Sequence, residues 1–131
     1  MTREFPLDQE GFNPFAAHIG LTFTAVEGGY SQCELEVTEQ LKNPHDVLSG
    51  GVLYTMADFG MGAAIYPTLD ENELPSTVDV TINYFRPVET GSVTCETALI
   101  NRSQSLAYFE STLYNEKKVA HATGTFFIAK N

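Results

Sequence analysis

The sequence predicts an α+β domain in which one antiparallel sheet curls around a single long helix. Two strand-like runs precede a mainly apolar stretch, residues 47–69, and four strand-like runs follow it. The apolar stretch is too long and too irregular for a strand. The last four runs are joined by short connections, which favour antiparallel neighbours because a parallel pair needs a long crossover. A sheet wrapped around the helix satisfies this order and buries the helix.

The chain is predicted to form one domain over residues 1–131, because its 43% hydrophobic content suits a single core. Its opening segment, residues 1–12, is polar and lacks periodicity, so we expect it to be flexible or loosely packed. The next segment, residues 13–20, is predicted to be a short helix that starts after Asn13, has Pro14 at its first position and ends at Gly20.

Residues 21–37 are predicted to form a half-buried hairpin that turns at Gly28 and Gly29. The central helix is predicted to run from about Ser49 to Tyr66 and to stop at Pro67. It is apolar all round and should therefore be buried. Its helical glycines each cost about 1 kcal/mol relative to alanine, so a close neighbour should require them. The remaining strands are predicted at residues 76–85, 92–100, 105–114 and 118–129.

Charge and composition exclude several classes of function. Seven basic and seventeen acidic residues give a net charge of −10, which opposes binding to nucleic acid or anionic lipid. No apolar stretch reaches the roughly 20 residues of a membrane helix, and residues 1–15 lack the apolar core of a secretory signal. We therefore expect a cytoplasmic protein with no nucleic-acid or membrane partner.

The cysteines and histidines give little support to a metal site or a disulfide framework. Cys33 and Cys95 have no zinc-site spacing and are best interpreted as small buried side chains. His18, His45 and His121 lie in separate segments without the spacing of metal ligands. No metal is expected.

Asp58 is the one charged residue between Val47 and Leu69, in the middle of a helix predicted to be buried. An ionised carboxylate in an apolar setting costs several kcal/mol unless it is paired or hydrogen-bonded. Asp58 is therefore a candidate functional group. The alternative is that it reaches solvent at a gap or caps backbone donors of a neighbouring loop.

Ser49, Gly50 and Gly51 begin the same helix, where the first backbone N–H groups lack helical partners and can receive a developing oxyanion. The alternative is a turn that merely needs glycine, with Ser49 as a helix cap. Asn43, in the preceding loop, either orients a water molecule or is a turn residue.

Asn43, the Ser49-Gly50-Gly51 run and Asp58 together resemble the hotdog-fold acyl-CoA thioesterases of the phenylacetate-pathway (PaaI-like) type. Their pattern is N-x-x-G-x-x-H-G-G followed by a helix that carries Asp or Glu. The runs at residues 76–91 and 121–130 are also similar to the strand after that helix and to the last strand of the family. The resemblance covers the chain from about residue 43 to residue 129 and implies a hotdog fold.

The resemblance implies a hydrolase that cleaves a small aryl or short to medium-chain acyl-CoA. Asp58 would be the nucleophile or general base, and the Gly50 N–H would polarise the thioester carbonyl. Asn43 would help to place the reacting group, and Thr77 would reach the site from a partner subunit, in a dimer or a tetramer made of two dimers. Coenzyme A would enter only as part of the substrate. The remaining candidates for substrate binding are Ser49, Gly51 and Phe59.

Two residues depart from the family pattern: Ser49 replaces the histidine before the glycine pair, and Asp46 replaces the earlier glycine. Ser49 keeps open the alternative of an inactive acyl-CoA-binding or regulatory domain. A hydratase or dehydratase would want a histidine in the site, and His45 is the only one nearby. The basic residues that could meet the phosphates of coenzyme A are Arg86, Arg102, Lys117 and Lys118.

Overall fold

The fold is a six-stranded antiparallel sheet with one long helix against it, as the element order predicts. In this computed structural model, which describes residues 3–7 and 12–131, the helices are α1 (Pro14–Ile19) and α2 (Gly50–Ile65). The strands are β1 (Thr22–Glu27), β2 (Tyr30–Glu36), β3 (Glu73–Tyr84), β4 (Ser92–Arg102), β5 (Leu106–Asn115) and β6 (Lys117–Lys130). In this part of the chain, no helix has the length and apolar character needed to cross a membrane.

The short helix α1 has the boundaries that its sequence predicts. The Asn13 side chain caps it by accepting a hydrogen bond from the Ala16 N–H at 3.1 Å, and Pro14 occupies its first position. Gly20 ends it with a left-handed φ of 79°, which glycine adopts without steric cost. The helix packs on the core through Ala16 and Ile19.

The central helix α2 also has the predicted limits. Ser49 is its N-cap, and Pro67 follows its last residue in a short 3₁₀ turn, Tyr66–Thr68. The prediction that α2 is buried on all sides is wrong. Tyr54 is 37% exposed, and Asp58 and Phe59 are partly exposed, because the sheet covers only one side of the helix. The residues on the covered side are Leu53, Met56, Ala57, Gly60, Met61, Ala63, Ala64 and Ile65.

The strand order is β1-β2-β4-β5-β6-β3, and every pairing is antiparallel. The short connections predicted that β3 and β4 would be neighbours, and this is wrong: β3 pairs with β6 at the edge of the sheet. The connection, residues 85–91, crosses two intervening strands. Three strand spacings amount to about 14 Å, which seven extended residues can span because each adds about 3.3 Å. A backbone hydrogen bond holds the middle of this connection, where the Leu48 N–H donates to the Val88 carbonyl at 2.7 Å.

The helix lies unusually close to the sheet at Gly60. The Ser31 hydroxyl donates to the Gly60 carbonyl at 2.6 Å, and a Cβ atom on Gly60 would come within 2.5 Å of the Thr97 hydroxyl oxygen. A side chain there would therefore displace the sheet. The prediction that a close neighbour requires the helical glycines is confirmed at Gly60. It is wrong at Gly62, where the nearest atom to an added Cβ, on Phe126, would be 3.9 Å away.

Cys33 and Cys95 lie opposite each other in β2 and β4 and are fully buried as free thiols. Both sulfur atoms point to the Met56 carbonyl, at 3.9 and 3.7 Å. The prediction of two small buried side chains is confirmed.

The segment predicted to be loosely packed, residues 1–12, lies partly outside the described residues, namely at 1, 2 and 8–11. Within it, the Phe5 ring packs edge-on against Phe23 and Tyr66, with centroids 5.1 and 5.6 Å apart. This part of the segment is therefore packed against the domain.

Candidate active site

Asp58 and Thr77 meet at the side of α2 that the sheet leaves uncovered. The Thr77 hydroxyl donates a hydrogen bond of 2.8 Å to Asp58 Oδ1. Both residues belong to the same chain, so Thr77 reaches its own Asp58. The bond holds one carboxylate oxygen and leaves Asp58 Oδ2 available to a substrate or a water molecule.

A β-bulge in β3 aims Thr77 at the helix. Thr77 pairs with Phe126 and Asp79 pairs with Thr125, so Val78 is an extra residue in the strand. Val78 is 58% exposed, whereas Val80 beyond it packs against the core. The bulge thus changes which alternate residues face inwards, and bulges often re-aim a side chain in this way beside active sites.

Asp58, Phe59 and Thr77 line a cavity of about 490 Å³. The volume falls within the range of ordinary small-molecule sites, roughly 300–1,000 Å³. Asp58 is the one charged side chain among the described residues that line it. The remaining lining is largely apolar, so the cavity suits an uncharged organic group that ends beside a carboxylate.

The start of α2 offers a free backbone donor at Gly50. The Gly51 N–H is not free, because it donates to the Ser49 hydroxyl oxygen at 3.3 Å. The Gly50 N–H has no acceptor within the described part of the chain, as expected for a first helical residue. Tyr84, which the sequence did not single out, donates its hydroxyl to the Gly50 carbonyl at 2.7 Å. Burial raises the pKa of Tyr84, so the hydroxyl stays protonated as a donor.

The loop before α2 is built around Asn43. Its side-chain oxygen accepts from the His45 N–H at 2.9 Å, and its carbonyl accepts from the Asp46 N–H at 3.0 Å. Asn43 therefore acts as a turn residue, and its side-chain oxygen is already engaged. Asp46 forms an ion pair with Lys42 at 3.3 Å. The hydrogen bond that Lys42 donates to Glu39, followed by its contact with Asp46, raises the pKa of Lys42 and keeps it charged.

The predicted site residues fall into two groups. Asp58, Phe59 and Thr77 surround the cavity, whereas Ser49, Gly50 and Gly51 lie at the helix start beside the Asn43 loop. Gly50 and Asp58 are eight residues apart on one helix. At 1.5 Å per residue this separates them by about 12 Å along the helix axis. One chain alone does not bring the two groups together.

The four candidate phosphate-binding residues differ in their availability. Arg102 forms an ion pair of 3.1 Å with the buried Glu73. Arg86 lines a second cavity of about 270 Å³ together with Gly50 and Tyr84. Its backbone N–H donates to the carbonyl of Val119 at 3.3 Å, and Lys117 and Lys118 directly precede Val119 in β6. The backbone of Arg86 therefore lies next to the start of β6, which carries Lys117 and Lys118.

Among the described lining residues of the larger cavity there is no histidine. His121 instead pairs with Glu110 at 3.1 Å, between strands β6 and β5. Several aromatic side chains of the cavity, including Phe5, Phe23 and Tyr66, had no signal in the sequence. They come from segments far apart in the chain, so only the fold brings them together.

The chain matches the family model described as the thioesterase superfamily over residues 45–120. It is 24% identical to the proofreading thioesterase EntH of Klebsiella pneumoniae over 111 residues, which is 85% of this chain and 81% of that one. A thioesterase structure from Haemophilus influenzae superposes with a TM-score of 0.90 at 23% identity, over 98% of this chain and 94% of that one. The structure of a mutant of the phenylacetic acid degradation protein PaaI from Thermus thermophilus superposes with a TM-score of 0.82 at 27% identity. The match covers 88% of this chain and 97% of that one. The chain therefore belongs to the thioesterase superfamily, has the hotdog fold and is a thioester hydrolase.

Proposed function

We propose that the protein hydrolyses an acyl-CoA to a free acid and coenzyme A, with Asp58 as the catalytic carboxylate. The observation that carries this proposal is the position of Asp58. It is held by Thr77 at 2.8 Å and is the one charge among the described lining of a largely apolar cavity. A single carboxylate beside an apolar pocket can serve as nucleophile or as general base toward a bound acyl group.

The chemistry needs few groups. Asp58 Oδ2 either attacks the thioester carbon, giving an anhydride that water then hydrolyses, or takes a proton from a water molecule that attacks instead. In both routes the carbonyl oxygen becomes an oxyanion, which the Gly50 N–H stabilises. The carbon–sulfur bond then breaks, and coenzyme A leaves as a thiolate. Because a thiol has a pKa near 8.5, this leaving group needs no dedicated general acid.

The separation of the two groups of site residues supports a site built by two copies of the chain. A single thioester carbonyl cannot contact both Asp58 and the Gly50 N–H of one chain across about 12 Å. We infer that Gly50 and its Asn43 loop come from a second copy, while Asp58 and Thr77 act together from the first. The edge strand β3, which exposes Leu74 and Val78, supports a dimer through this edge, because an unpaired apolar edge favours pairing. A tetramer would pair two such dimers.

Arg86, Lys117 and Lys118 are the best candidates to meet the phosphates of coenzyme A. Within the described residues their side chains have no carboxylate within 4.0 Å, whereas Lys42 and Arg102 are in ion pairs. Arg86 also shares the smaller cavity with Gly50, so a thioester held at Gly50 would extend toward a cation. In a chain of net charge −10, a cation without an ion pair beside Gly50 favours the approach of an anionic substrate.

Asp58→Asn tests the function. We expect the turnover of acyl-CoA to fall at least about 100-fold, because the amide cannot act as nucleophile or base. Asparagine keeps an oxygen that accepts from Thr77, so the fold should survive. The measurement is free-thiol release from a panel of aryl, short and medium-chain acyl-CoAs. Asp79→Asn, an identical change of charge on an exposed residue of β3, is the matched control and should keep its rate.

Two outcomes would contradict the proposal. A folded Asp58→Asn variant with the wild-type rate would remove Asp58 from the mechanism. Binding of acyl-CoA by the wild type without any thiol release would favour an acyl-CoA-binding domain, in which Ser49 in place of the family histidine marks a lost activity.

A further inference from the structure

The N-terminal segment forms part of the wall of the cavity that holds Asp58. Phe5, Pro6, Leu7 and Phe12 line it together with residues of α1, α2, β1, β3 and β6. The segment therefore borders the space that an acyl group would occupy beside Asp58. No motif of the sequence pointed to this segment.

Phe5 is fixed in this wall by aromatic contacts. Its ring meets Phe12, Phe23 and Tyr66 edge-on, with centroid distances of 5.5, 5.1 and 5.6 Å. Phe12 also meets Tyr66 edge-on at 5.8 Å. Edge-to-face pairs at such distances are favourable, and each one restricts the position of the ring. The wall at Phe5 is therefore a packed aromatic surface.

Arg3 anchors the segment two residues before Phe5. Its guanidinium donates to the carbonyls of Glu71 and Glu73, both at 2.8 Å, and lies over the Tyr66 ring at 5.6 Å. Its backbone N–H donates to the Leu69 carbonyl at 3.2 Å. The side chain of Glu73 is held in turn by Arg102 at 3.1 Å. Arg3 thus joins the segment to the end of the central helix and to the edge strand.

The lining defines the chemistry of the group that fits. Six aromatic rings of the described residues line the cavity, and its volume of about 490 Å³ is roughly three times the ~150 Å³ of an apolar cavity that binds benzene. None of the described lining residues is a cation. An acyl group that carries its own carboxylate would therefore place a second negative charge near Asp58 without a positive charge to offset it. The lining rings are Phe5, Phe12, Phe23, Phe59, Tyr66 and Phe126.

We propose that Phe5, held in place by Arg3, is a specificity-determining residue that limits the size of the acyl group and favours an uncharged aromatic one. This inference rests on the proposed hydrolysis of acyl-CoA. Phe5 packs against the acyl group and takes no part in the reaction at the thioester carbon.

The test compares kcat/KM of the wild type, Phe5→Ala and Phe5→Trp on phenylacetyl-CoA, butyryl-CoA, dodecanoyl-CoA and succinyl-CoA. Phe5→Ala should lower the value for phenylacetyl-CoA about 3- to 10-fold, which corresponds to the loss of one aromatic pair. It should raise the value for dodecanoyl-CoA and leave butyryl-CoA unchanged. Phe5→Trp should lower the value for dodecanoyl-CoA. Succinyl-CoA should be a poor substrate for all three proteins.

Arg3→Gln and Phe127→Ala complete the experiment. Arg3→Gln keeps the Phe5 ring but removes the guanidinium contacts that hold its segment. It should therefore shift selectivity in the same direction as Phe5→Ala. Phe127→Ala removes an identical ring that is 45% exposed and does not line the cavity, and it should leave the selectivity unchanged.

The outcomes distinguish this inference from the proposed function. If no acyl-CoA is cleaved by the wild type, the proposed function fails. If the wild type is active but folded Phe5 variants keep its ratio of phenylacetyl-CoA to dodecanoyl-CoA, the inference alone is overturned. An equal loss on all substrates, butyryl-CoA included, would also overturn it, because Phe5 would then support the structure of the site. Efficient cleavage of succinyl-CoA would exclude the proposed acyl class.

Discussion

At the scale of single residues, the backbone conformation of Asp46 explains why aspartate can replace the glycine of the family pattern. Its backbone is left-handed, with φ of 64°, a conformation that favours glycine and is tolerated by aspartate. This conformation is consistent with the glycine of the family pattern at this position. Its ion pair with Lys42 also offsets the negative charge that it adds near the start of α2. The substitution is thus compatible with the turn and with an anionic substrate.

Substitutions at Asp46 should separate backbone strain from charge. We expect Asp46→Ala to lower the free energy of unfolding by about 1 kcal/mol relative to Asp46→Gly, because alanine adopts a positive φ at a cost. Asp46→Asn removes the charge but tolerates the same φ, and it should stay close to the wild type. Urea denaturation measures the difference. Equal stability of the alanine and glycine variants would show that φ does not limit this turn.

Residues in the active site were predictable to different degrees. Asp58 stood out because it is a lone charge in an apolar helix, and Ser49 because serine is a preferred N-cap. The bulge at Val78 was not predictable, since Val78, Val80 and Ile82 alternate as in a regular strand. Phe5 lies in a polar segment without periodicity, and its role depends on contacts with residues remote in the sequence.

At the scale of elements, the position of α2 depends on a small-residue contact with β4. Gly60 allows the helix backbone to approach Thr97, whose hydroxyl forms a 2.6 Å hydrogen bond with Ser111. Thr97 and Ser111 are buried, and each hydroxyl serves as the hydrogen-bond partner of the other inside the core. Because Asp58 is two residues from Gly60, this contact also fixes the depth at which the carboxylate sits.

Gly60→Ala should destabilise the fold by about 1–3 kcal/mol through overpacking against Thr97. Gly62→Ala is the matched control, because its new methyl group would find its nearest atom, on Phe126, at 3.9 Å. That variant should be as stable as the wild type, or more stable by up to about 1 kcal/mol, since alanine is the better helix former. Thermal unfolding compares the two variants. If Gly60→Ala were as stable as Gly62→Ala, the helix would not be limited by this contact.

The elements themselves were largely predictable, whereas one pairing was not. Pro14, Gly20 and Pro67 limit helices because of their backbone geometry, and the helix limits agree with the sequence. The crossing between β3 and β4 was missed because seven residues are long enough to turn a hairpin and also to cross two strands. Only the packing of the whole sheet decides between these paths.

At the scale of the whole molecule, the proposed function requires two chains. A catalytic site shared between copies makes activity depend on association, and it can be tested with two inactive variants. Asp58→Asn removes the carboxylate. Gly50→Pro removes the proposed oxyanion donor at the first helical position, where proline is tolerated and where Ser49 has a compatible ψ of 133°. Gly50→Ala keeps the N–H and is the control for the added bulk near Tyr84.

Co-expression of Asp58→Asn with Gly50→Pro should restore turnover to about a quarter of the wild-type value. Half of the dimers formed at random would be hybrids, and one of the two sites in each hybrid would contain neither change. Thiol release from the purified mixture measures the recovery, with each variant alone as the baseline. No recovery in a sample that contains hybrid dimers would mean that each chain builds its own site.

The burial of both cysteines has a practical consequence for all of these assays. Cys33 and Cys95, the two cysteines of the sequence, are fully enclosed between the sheet and α2. A thiol reagent added to the folded protein should therefore react with the coenzyme A that is released and not with the enzyme. A variant that unfolds would instead expose two thiols per chain, independently of substrate. A substrate-free blank thus reports the integrity of each variant in the same cuvette that reports its turnover.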